Sequence, residues 1–559
     1  MAIIHNGQEI PSDYDILLDK WKLKSVSGDV KAEKPGYCIF DNTSLALELL
    51  HKHIDNNSRT VLHTDVDVDG VGTTYIMKKA LNAVGSDNHL LLINKDKVHG
   101  IQQKHIDYFK SNPVDFVIIT DSSTNEVEII KQFNCDVLVI DHHDYVLADK
   151  SWLNGKCNDG VHEYVVVNNT IQNRNQELDN KWLRSKNISA FDNLEEWIGC
   201  SDMSCGLVVY ELMRLYCVCF ANPKVLENML LYQWAAITLF TDAINTLNDR
   251  NQWYLDNTVF SQELEPSLRI MMQSINKYKA KLDKSYINYS FAPIINKAIR
   301  AGKSNEVLDK VINSPSQIMD LAIYNKDQVD AINKATTVTV YDAEKNEYIT
   351  GPRIFSGISI MLDISSLDVN PNYAGVIASR LSGDNSKNAV VYRVLENGLC
   401  KGSFRGLYQT VDYREYFEKY SSDIYAQGHP QAFGFELKYE QLKYLMDNIK
   451  DIEPVESLKP FITAGNMQPS EYGVYHITDM NEFKRLGYIW RIATGNSKVA
   501  SKDEIVIRVK ASDLVVKYTK GKLFYYDVLG IECKAFKPLS GDYFDIYVEY
   551  TNEINVYIR

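Results

Sequence analysis

Residues 61–70 read VLHTDVDVDG, an apolar strand end followed by His63, Asp65, Asp67, Asp69 and Gly70. Alternating carboxylates that follow a buried strand are a way to hold divalent cations. Two further runs end in the same manner. DFVIIT (115–120) delivers Asp121, and CDVLVI (135–140) delivers Asp141-His142-His143. Three hydrophobic strands, each presenting an acid at its C-terminal end, predict a cation site on the carboxyl edge of a parallel sheet.

Two plainer readings of the acidic run fail on the residues around it. DVDVDG also opens a calcium-binding EF-hand loop, which needs a glutamate at loop position twelve and a helix before it. That position is Ile76, and a strand precedes the run. A solvated acidic turn would account for one such loop, but not for two more acids at neighbouring strand ends with a His-His pair beside one of them.

Working outward, the pattern alternates between strand and helix. RTVLH (59–63), HLLLIN (89–94) and EYVVVNN (163–169) join the two acid-ended strands. Residues 37–51 read as a loop into a helix with an N-cap at Asn42 or Thr43. VGTTYIMKKALNAVG after Gly70, and IQQKHIDYFK (101–110), have helical spacing. This alternation predicts right-handed crossovers and a doubly wound sheet. Residues 206–250 are mostly helical, and 251–335 stay helical with more Lys and Ser, as a connector would. New strands at 338–349 and 354–365 open a second α/β unit ending near 450. From about 456 the chain becomes short strands, among them GVYHI, YIWRIA, EIVIRVK, LVVKYT and FDIYVEY, which suggests a small barrel or sandwich.

Composition bounds the function classes. The 559 residues suffice for several domains with real cores. No apolar stretch approaches the ~18–20 residues of a membrane span, so no membrane partner is expected. The start, MAIIHNGQEIPSDYD, shows neither a basic n-region nor an apolar h-region, and the nine Cys form no CxxC pair. A cytoplasmic setting with reduced thiols is the expectation. A net charge of −13 argues against bulk coating of duplex nucleic acid. Lys517, Lys520 and Lys522, beside Tyr518, Phe524, Tyr525 and Tyr526, offer either a stacking and charge surface for single strands or an ordinary hairpin with core aromatics, and the acidic balance of the chain favours the hairpin. His99 and His105 read as structural or solvated.

The acid edge favours two ions. His63, Asp67 and Asp69 can converge from one side, with Asp121 as a bridging carboxylate, while His142 adds an imidazole ligand and His143 stands near substrate. Mixed carboxylate and imidazole ligation suits Mn²⁺ or Mg²⁺, the imidazoles tilting the choice towards Mn²⁺. Two ions ~3.5–4 Å apart can activate water and clamp a phosphoryl group.

HTDVDVDG, the Asp121 strand end and VIDHHDY resemble the first three motifs of the DHH phosphoesterase superfamily, and ITLFTDAINTLNDRN (237–251) resembles the fourth through Asp242. SFAPIINKAIRAGKSNEVLDKVI (290–312) resembles the APRINAAGR segment of RecJ-type single-stranded DNA exonucleases. NYAGVIASRL (372–381), KGSFRG (401–406) and YAQGHPQAFGFEL (425–437) resemble the DHH-associated domain with its GGHxxAxG signature. The resemblance covers roughly 36–450 by motif, and the last hundred residues by order and strand content.

The resemblance implies a doubly wound DHH domain (1–250), a helical connector (251–335), a second α/β DHH-associated domain (336–450) and a small β-rich, OB-like domain (451–559). It also implies roles. His63, Asp67 and Asp121 would hold one ion, and Asp69, Asp121, His142 and Asp242 the other. Asp65 would orient the loop and His143 touch the scissile phosphate. Arg300, Ser403 and Arg405 would bind a 5′-phosphate, the guanidinium fork suiting bidentate contact, with Gly428 and His429 lining the cleft opposite the metals. Some positions depart from the family. Its NRxxEGYG segment reads NKDKVHG (94–100), leaving Lys95 or Lys97 in place of the arginine. The first GGH glycine is Gln427, the arginine of PRIN is Ile294, and the glycine of GR is Ile299.

The expected activity is metal-dependent 5′-to-3′ hydrolysis of single-stranded DNA to 5′-mononucleotides, in repair, recombination or replication, with single-strand-binding or replication proteins as partners. Two alternatives stay open. One is a DHH enzyme for short oligonucleotides or cyclic dinucleotides, against which the long connector argues. The other is an inactive scaffold for replication or repair partners, against which the full ligand set argues.

Overall fold

The structure, a computed structural model, describes residues 3–5, 8–10, 34–94, 99–145, 153–171, 176–186, 203–242, 244, 249–259, 261–275, 282, 286–337, 339–342, 347–350, 353–355, 359–385, 387–406, 412–421, 423–429, 431–449, 506–510, 514–520, 523–528, 531–539, 543–550 and 554–558. The chain divides into two compact units, residues 1–322 with 490–502, and residues 323–489 with 503–559.

The first unit is built on a six-stranded sheet. Its strands are β1 (Thr60–Thr64), β2 (His89–Ile93), β3 (Phe116–Thr120), β4 (Asp136–Asp141), β5 (Asn154–Lys156) and β6 (Glu163–Asn168), in the order β2-β1-β3-β4-β6-β5. All pairs are parallel except the edge pair β5–β6. The β-branched runs FVIIT, DVLVI and YVVVN make these strands, because such side chains pack well on a pleated surface covered on both faces. Alternation then sorts them. Val61, Val117, Ile119, Val137, Val139 and Val166 join one core with Ile106 and Phe109 of α3 (Gln103–Ser111). Against the sheet also lie α1 (Thr43–Asp55), α2 (Val68–Ala83) and α4 (Cys205–Phe220). Val117, Ile118 and Ile119 are all fully buried, and each such side chain contributes about 1.5–3 kcal/mol.

Register fixes the chemistry. Thr64 pairs with Thr120, and Thr120 with Ile140. The next residues, Asp65, Asp121 and Asp141, therefore stand in one row at the carboxyl edge of three adjacent strands.

The N-cap of α1 falls at Asn42, as expected, but without a cap bond from its side chain. Asn42 is left-handed (φ 66°). Its amide reaches across to Leu153 O and Val166 O, so it ties the helix start to the sheet rather than capping the helix.

At the start of β4, buried Asp136 accepts from Lys52 Nζ (2.6 Å), His53 Nε2 (2.9 Å) and Glu163 N (2.8 Å). Burial alone would raise its pKa, but these donors outweigh burial and hold it well below the usual carboxylate range. A depressed folded value stabilises the chain fully above the unfolded value of ~3.9, and the contribution drains as pH falls towards the folded value. Asp136→Asn should therefore cost roughly 2 kcal/mol at neutral pH. In urea melts at stepped pH, the gap to the parent should shrink below about pH 4.

The second unit holds two sheets. One contains β7 (Arg353–Phe355), β8 (Ser359–Asp363), β9 (Asn388–Val394), β10 (Leu399–Arg405), β11 (Tyr425–His429) and β12 (Ala432–Lys438), ordered β7-β8-β9-β10-β12-β11. Helices α6 (Ala374–Asn385), α7 (Tyr413–Tyr420) and α8 (Tyr439–Asn448) flank it, after α5 (Tyr232–Thr241) of the first unit. The other sheet contains β13 (Val506–Lys510), β14 (Leu514–Lys520), β15 (Leu523–Val528), β16 (Ile531–Ala535), β17 (Tyr543–Tyr550) and β18 (Ile554–Ile558), ordered β13-β17-β18-β16-β15-β14.

The chain is thus mixed α/β around a parallel sheet, as the alternation predicts. The OB-like expectation is not established. Among the described residues the last sheet is open, with β13 and β14 at its two edges. The runs GVYHI and YIWRIA lie outside the described residues. Lys517 is held by Asp527 (3.2 Å) and Glu532 (3.7 Å), and Tyr518 stacks on Tyr525, consistent with an ordinary hairpin. No helix among the described residues is long and apolar enough to cross a membrane.

Candidate metal centre

The loop after β1 runs directly into α2. Asp67 is the N-cap of that helix, and its Oδ1 accepts from Gly70 N at 2.9 Å. Asp69 lies in the first turn, buried. Cys205 N donates to its Oδ2 (2.9 Å), while Gly206 N and Thr73 Oγ1 donate to its Oδ1 (both 3.1 Å). The first turn of α4 therefore fixes the orientation of Asp69, which costs that helix nothing because its leading amides have no partner of their own.

Asp121 follows β3 with a left-handed backbone (φ 62°), a conformation that Asp and Asn adopt more readily than other non-glycine residues. Its amide donates to Ile140 O (2.9 Å) and to Cys205 Sγ (3.1 Å). Asp242 is the C-cap of α5, and its amide donates to Thr238 O.

His142 stands among these acids. Its Nε2 lies 3.3 Å from Asp121 and 3.8 Å from Asp69, and its Nδ1 lies 3.4 Å from Asp242. Asp141 builds the turn that presents the two histidines. Its Oδ1 accepts from His142 N (2.7 Å), His143 N (3.2 Å) and His143 Nδ1 (2.8 Å), and its Oδ2 from Thr124 N (3.0 Å). Burial would raise the Asp141 pKa, but the facing His143 outweighs it and holds the acid well below its usual range. Burial likewise opposes charge on His143, yet Asp141 carries it up to about 10, so the ring is an imidazolium at neutral pH.

Three triads offer ligand atoms within 4.8 Å of one another: Asp69, His142 and Asp242; Asp121, His142 and His143; Asp65, Asp67 and Asp121. The residues fit a divalent cation on the state of their own atoms. Burial pushes Asp121 well above the carboxylate range, and Asp69, Asp67 and Asp65 push it further. Burial also raises Asp69 to about 7, with Asp242 and Asp67 adding to it and His142 opposing. Carboxylates crowded in this way need positive charge to stay ionised. Asp121 Oδ1 has no hydrogen-bond partner among the described residues.

His63 stands outside the three triads. It lies within β1 on the face of Val61, and its ring meets His105 of α3 at 5.1 Å between centroids. Burial, with His105 and Lys104 adding, lowers its pKa to about 3, so the imidazole is neutral. Neither ring nitrogen has a hydrogen-bond partner among the described residues, as a ligand's would not before a cation arrives. Asp65 offers a carboxylate oxygen beside Asp67 and Asp121.

The phosphate-binding candidates fall in both units. Arg300 ends a helix (Ala292–Arg300) of the first unit. Ser403 and Arg405 share one face of β10 in the second, beside α6. Arg405 Nε donates to Ser379 Oγ (3.0 Å) and its Nη1 to Phe404 O (2.6 Å). A Cβ at Gly375 would come within 2.8 Å of Arg405 Nη2 and 3.4 Å of Ser403 Oγ, so the absent side chain makes room for the guanidinium. Gly428 and His429 pair with Phe433 and Ala432, but their side chains lie outside the described residues, as do Lys95 and Lys97.

The sequence reading overlooked Thr73, Cys205 and Gly206 around Asp69, and Asp141 as the scaffold of the histidine turn. The signal for Cys205-Gly206 was a small pair opening an apolar helix, which has many ordinary explanations. His99, read as structural or solvated, donates to Asp65.

Residues 59–186 match the family described as DHH family, N-terminal domain. The chain is 23% identical over 459 residues to a putative SPbeta prophage-derived single-strand DNA-specific exonuclease, YorK, of Bacillus subtilis (strain 168), covering 76% of this chain and 71% of that protein. It is 20% identical over 451 residues to the single-stranded-DNA-specific exonuclease RecJ of Escherichia coli (strain K12), covering 76% and 70%. Its fold is similar to the crystal structure of RecJ in complex with Mn²⁺ from Thermus thermophilus, with a TM-score of 0.62 at 14% identity over 97% of this chain and 74% of that one.

Proposed function

From a RecJ-like chain whose residues 59–186 match the DHH family, N-terminal domain, we propose a divalent-metal-dependent nuclease that hydrolyses single-stranded DNA from its 5′ end to 5′-mononucleotides. The observation that carries this reading is the shared register row. Asp65, Asp121 and Asp141 leave three adjacent parallel strands at the same level, with His142 within 4 Å of three carboxylates.

In this reading Asp67, Asp69, Asp121, His142 and Asp242 would hold the metal, with His63 a further neutral donor. Mn²⁺ or Mg²⁺, when bound, supplies Lewis acidity to a phosphoryl oxygen and acidifies water. The rest is the work of the chain. The first turn of α4 holds Asp69 still, and the left-handed turn at Asp121 aims its carboxylate along the sheet edge. His143, charged through Asp141, offers a proton-bearing nitrogen to a phosphate oxygen that gains negative charge. Hydrolysis breaks the bond between phosphorus and the 3′-oxygen of the terminal nucleotide. Water supplies the oxygen left on the shortened strand's 5′-phosphate, and a proton passes to the departing 3′-oxygen. Ser403 and Arg405, on one face of β10, are the proposed 5′-phosphate contacts.

The test is digestion of end-labelled single strands by the full chain with Mn²⁺ or Mg²⁺. The 5′-labelled strand should yield mononucleotide first, a 5′-blocked strand should resist, and blunt duplex should be spared. Faster cleavage of dinucleotides than of long strands would support the short-oligonucleotide reading. Mononucleotide release from the 3′ end would contradict the polarity.

A further inference from the structure

Asp65 is buried, with one oxygen bonded and the other not. Its Oδ2 lies 2.6 Å from His99 Nδ1, while its Oδ1 has no hydrogen-bond partner among the described residues. A carboxylate oxygen of Asp65 is within 4.8 Å of ligand atoms of Asp67 and Asp121. An ionised carboxylate only accepts, so His99 Nδ1 carries the proton of this bond in either charge state of the ring.

The segment that carries His99 is anchored. Gln102 Nε2 donates to His99 O and Asn94 Nδ2 to Gly100 O, both at 3.0 Å. Gly100 turns the chain with φ 70°, and a Cβ there would strike the Glu126 carboxylate. Ile101 N donates to Ser123 Oγ (3.1 Å) and Glu126 Oε2 (3.2 Å), which follow Asp121 in the β3–β4 connection. His99 is thus tied to the same stretch of backbone as Asp121, although its own side chain is 41% exposed.

We infer that His99 is a positioning residue of the metal centre: by donating to Asp65 Oδ2 it turns the opposite oxygen of Asp65 towards the space shared with Asp67 and Asp121. This rests on the proposed reading of the acid edge as a metal centre. A histidine behind a ligand carboxylate acts as outer-shell partners do, by fixing orientation.

The test uses the full chain, stripped of metal by chelation and titrated with Mn²⁺ while free Mn²⁺ is read by paramagnetic resonance. His99→Phe keeps the ring volume and removes the donor. His99→Asn loses the ring but sets an amide N–H where Nδ1 stood. The Phe variant should bind Mn²⁺ at one site about tenfold more weakly, and the Asn variant should return to within about threefold of the parent. Rescue by Phe, or parental affinity in both variants, would overturn the role of His99 while leaving the metal centre standing. A parent chain that binds no Mn²⁺ would sink the metal-centre reading, and this inference with it.

Discussion

Asp121→Asn is expected to lower hydrolysis of single strands by at least about 10³-fold while the chain stays folded. Asparagine is the substitution of choice because the residue sits at φ 62°, where alanine would add backbone strain to the chemical change. The amide keeps the volume and the backbone bonds to Ile140 O and Cys205 Sγ. It removes the one charge that two of the triads have in common. It also removes a carboxyl group that burial, Asp69, Asp67 and Asp65 push upward, so thermal stability without metal should hold or rise. Activity near the parent's in the presence of Mn²⁺ would contradict the role proposed for Asp121 in holding the metal.

Gly70→Ala should be nearly as damaging by a different route. A Cβ at Gly70 would lie 2.5 Å from Asp65 O and 2.9 Å from Thr64 Oγ1. The Thr64 hydroxyl, which donates to Gly70 O, can rotate; the Asp65 carbonyl is backbone and cannot. The loop from Asp65 to Asp67 must therefore move away from the first turn of α2, taking two members of one triad with it. Overpacking of this kind costs roughly 2–3 kcal/mol, read as a lower urea midpoint, and Mn²⁺ affinity should fall with it. Gly383→Ala is the control. It lies in helix α6 with nothing within 4 Å of the new Cβ, and should leave stability unchanged or raise it by up to about 1 kcal/mol. Equal behaviour of the two variants would show that the fit at Gly70 is looser than the geometry implies.

Much of the site was legible because its physics is local. Runs such as FVIIT and DVLVID announce buried strands, and an acid at the end of such a run has one place to be. Parallel pairing does the rest, since it brings strand ends to the same edge without any long-range information. What could not be read depended on tertiary contacts. His99 is 34 positions from Asp65, and nothing in NKDKVHG says which acid its ring will meet. Asp69 finds its donors at Cys205 and Gly206 across 136 and 137 positions.

His63 shows how alternation places a side chain at the strand end. Its place in HTDVDVDG suggests a ligand beside Asp67, and period-two alternation governs the last residues of β1. The ring lies on the α3 face with Val61, neither nitrogen hydrogen-bonded among the described residues, and Asp65, one residue beyond the strand, lies beside Asp67 and Asp121. Asn42 takes the N-cap position of α1 as its residue type suggests, but without a side-chain cap bond. Its Oδ1 accepts from Asn154 Nδ2 (2.7 Å) while its Nδ2 donates to Val166 O on β6 and to Leu153 O, so its side chain serves the sheet edge rather than the first turn.

The central claim is that the carboxyl edge of the first sheet is a two-ion centre. The most direct test is the Mn²⁺ stoichiometry of the metal-stripped full chain beside its Asp121→Asn variant. The account predicts two ions per parent chain and a loss of affinity at both in the variant. One ion or none in the parent, or two ions bound equally well without the Asp121 carboxylate, would contradict it.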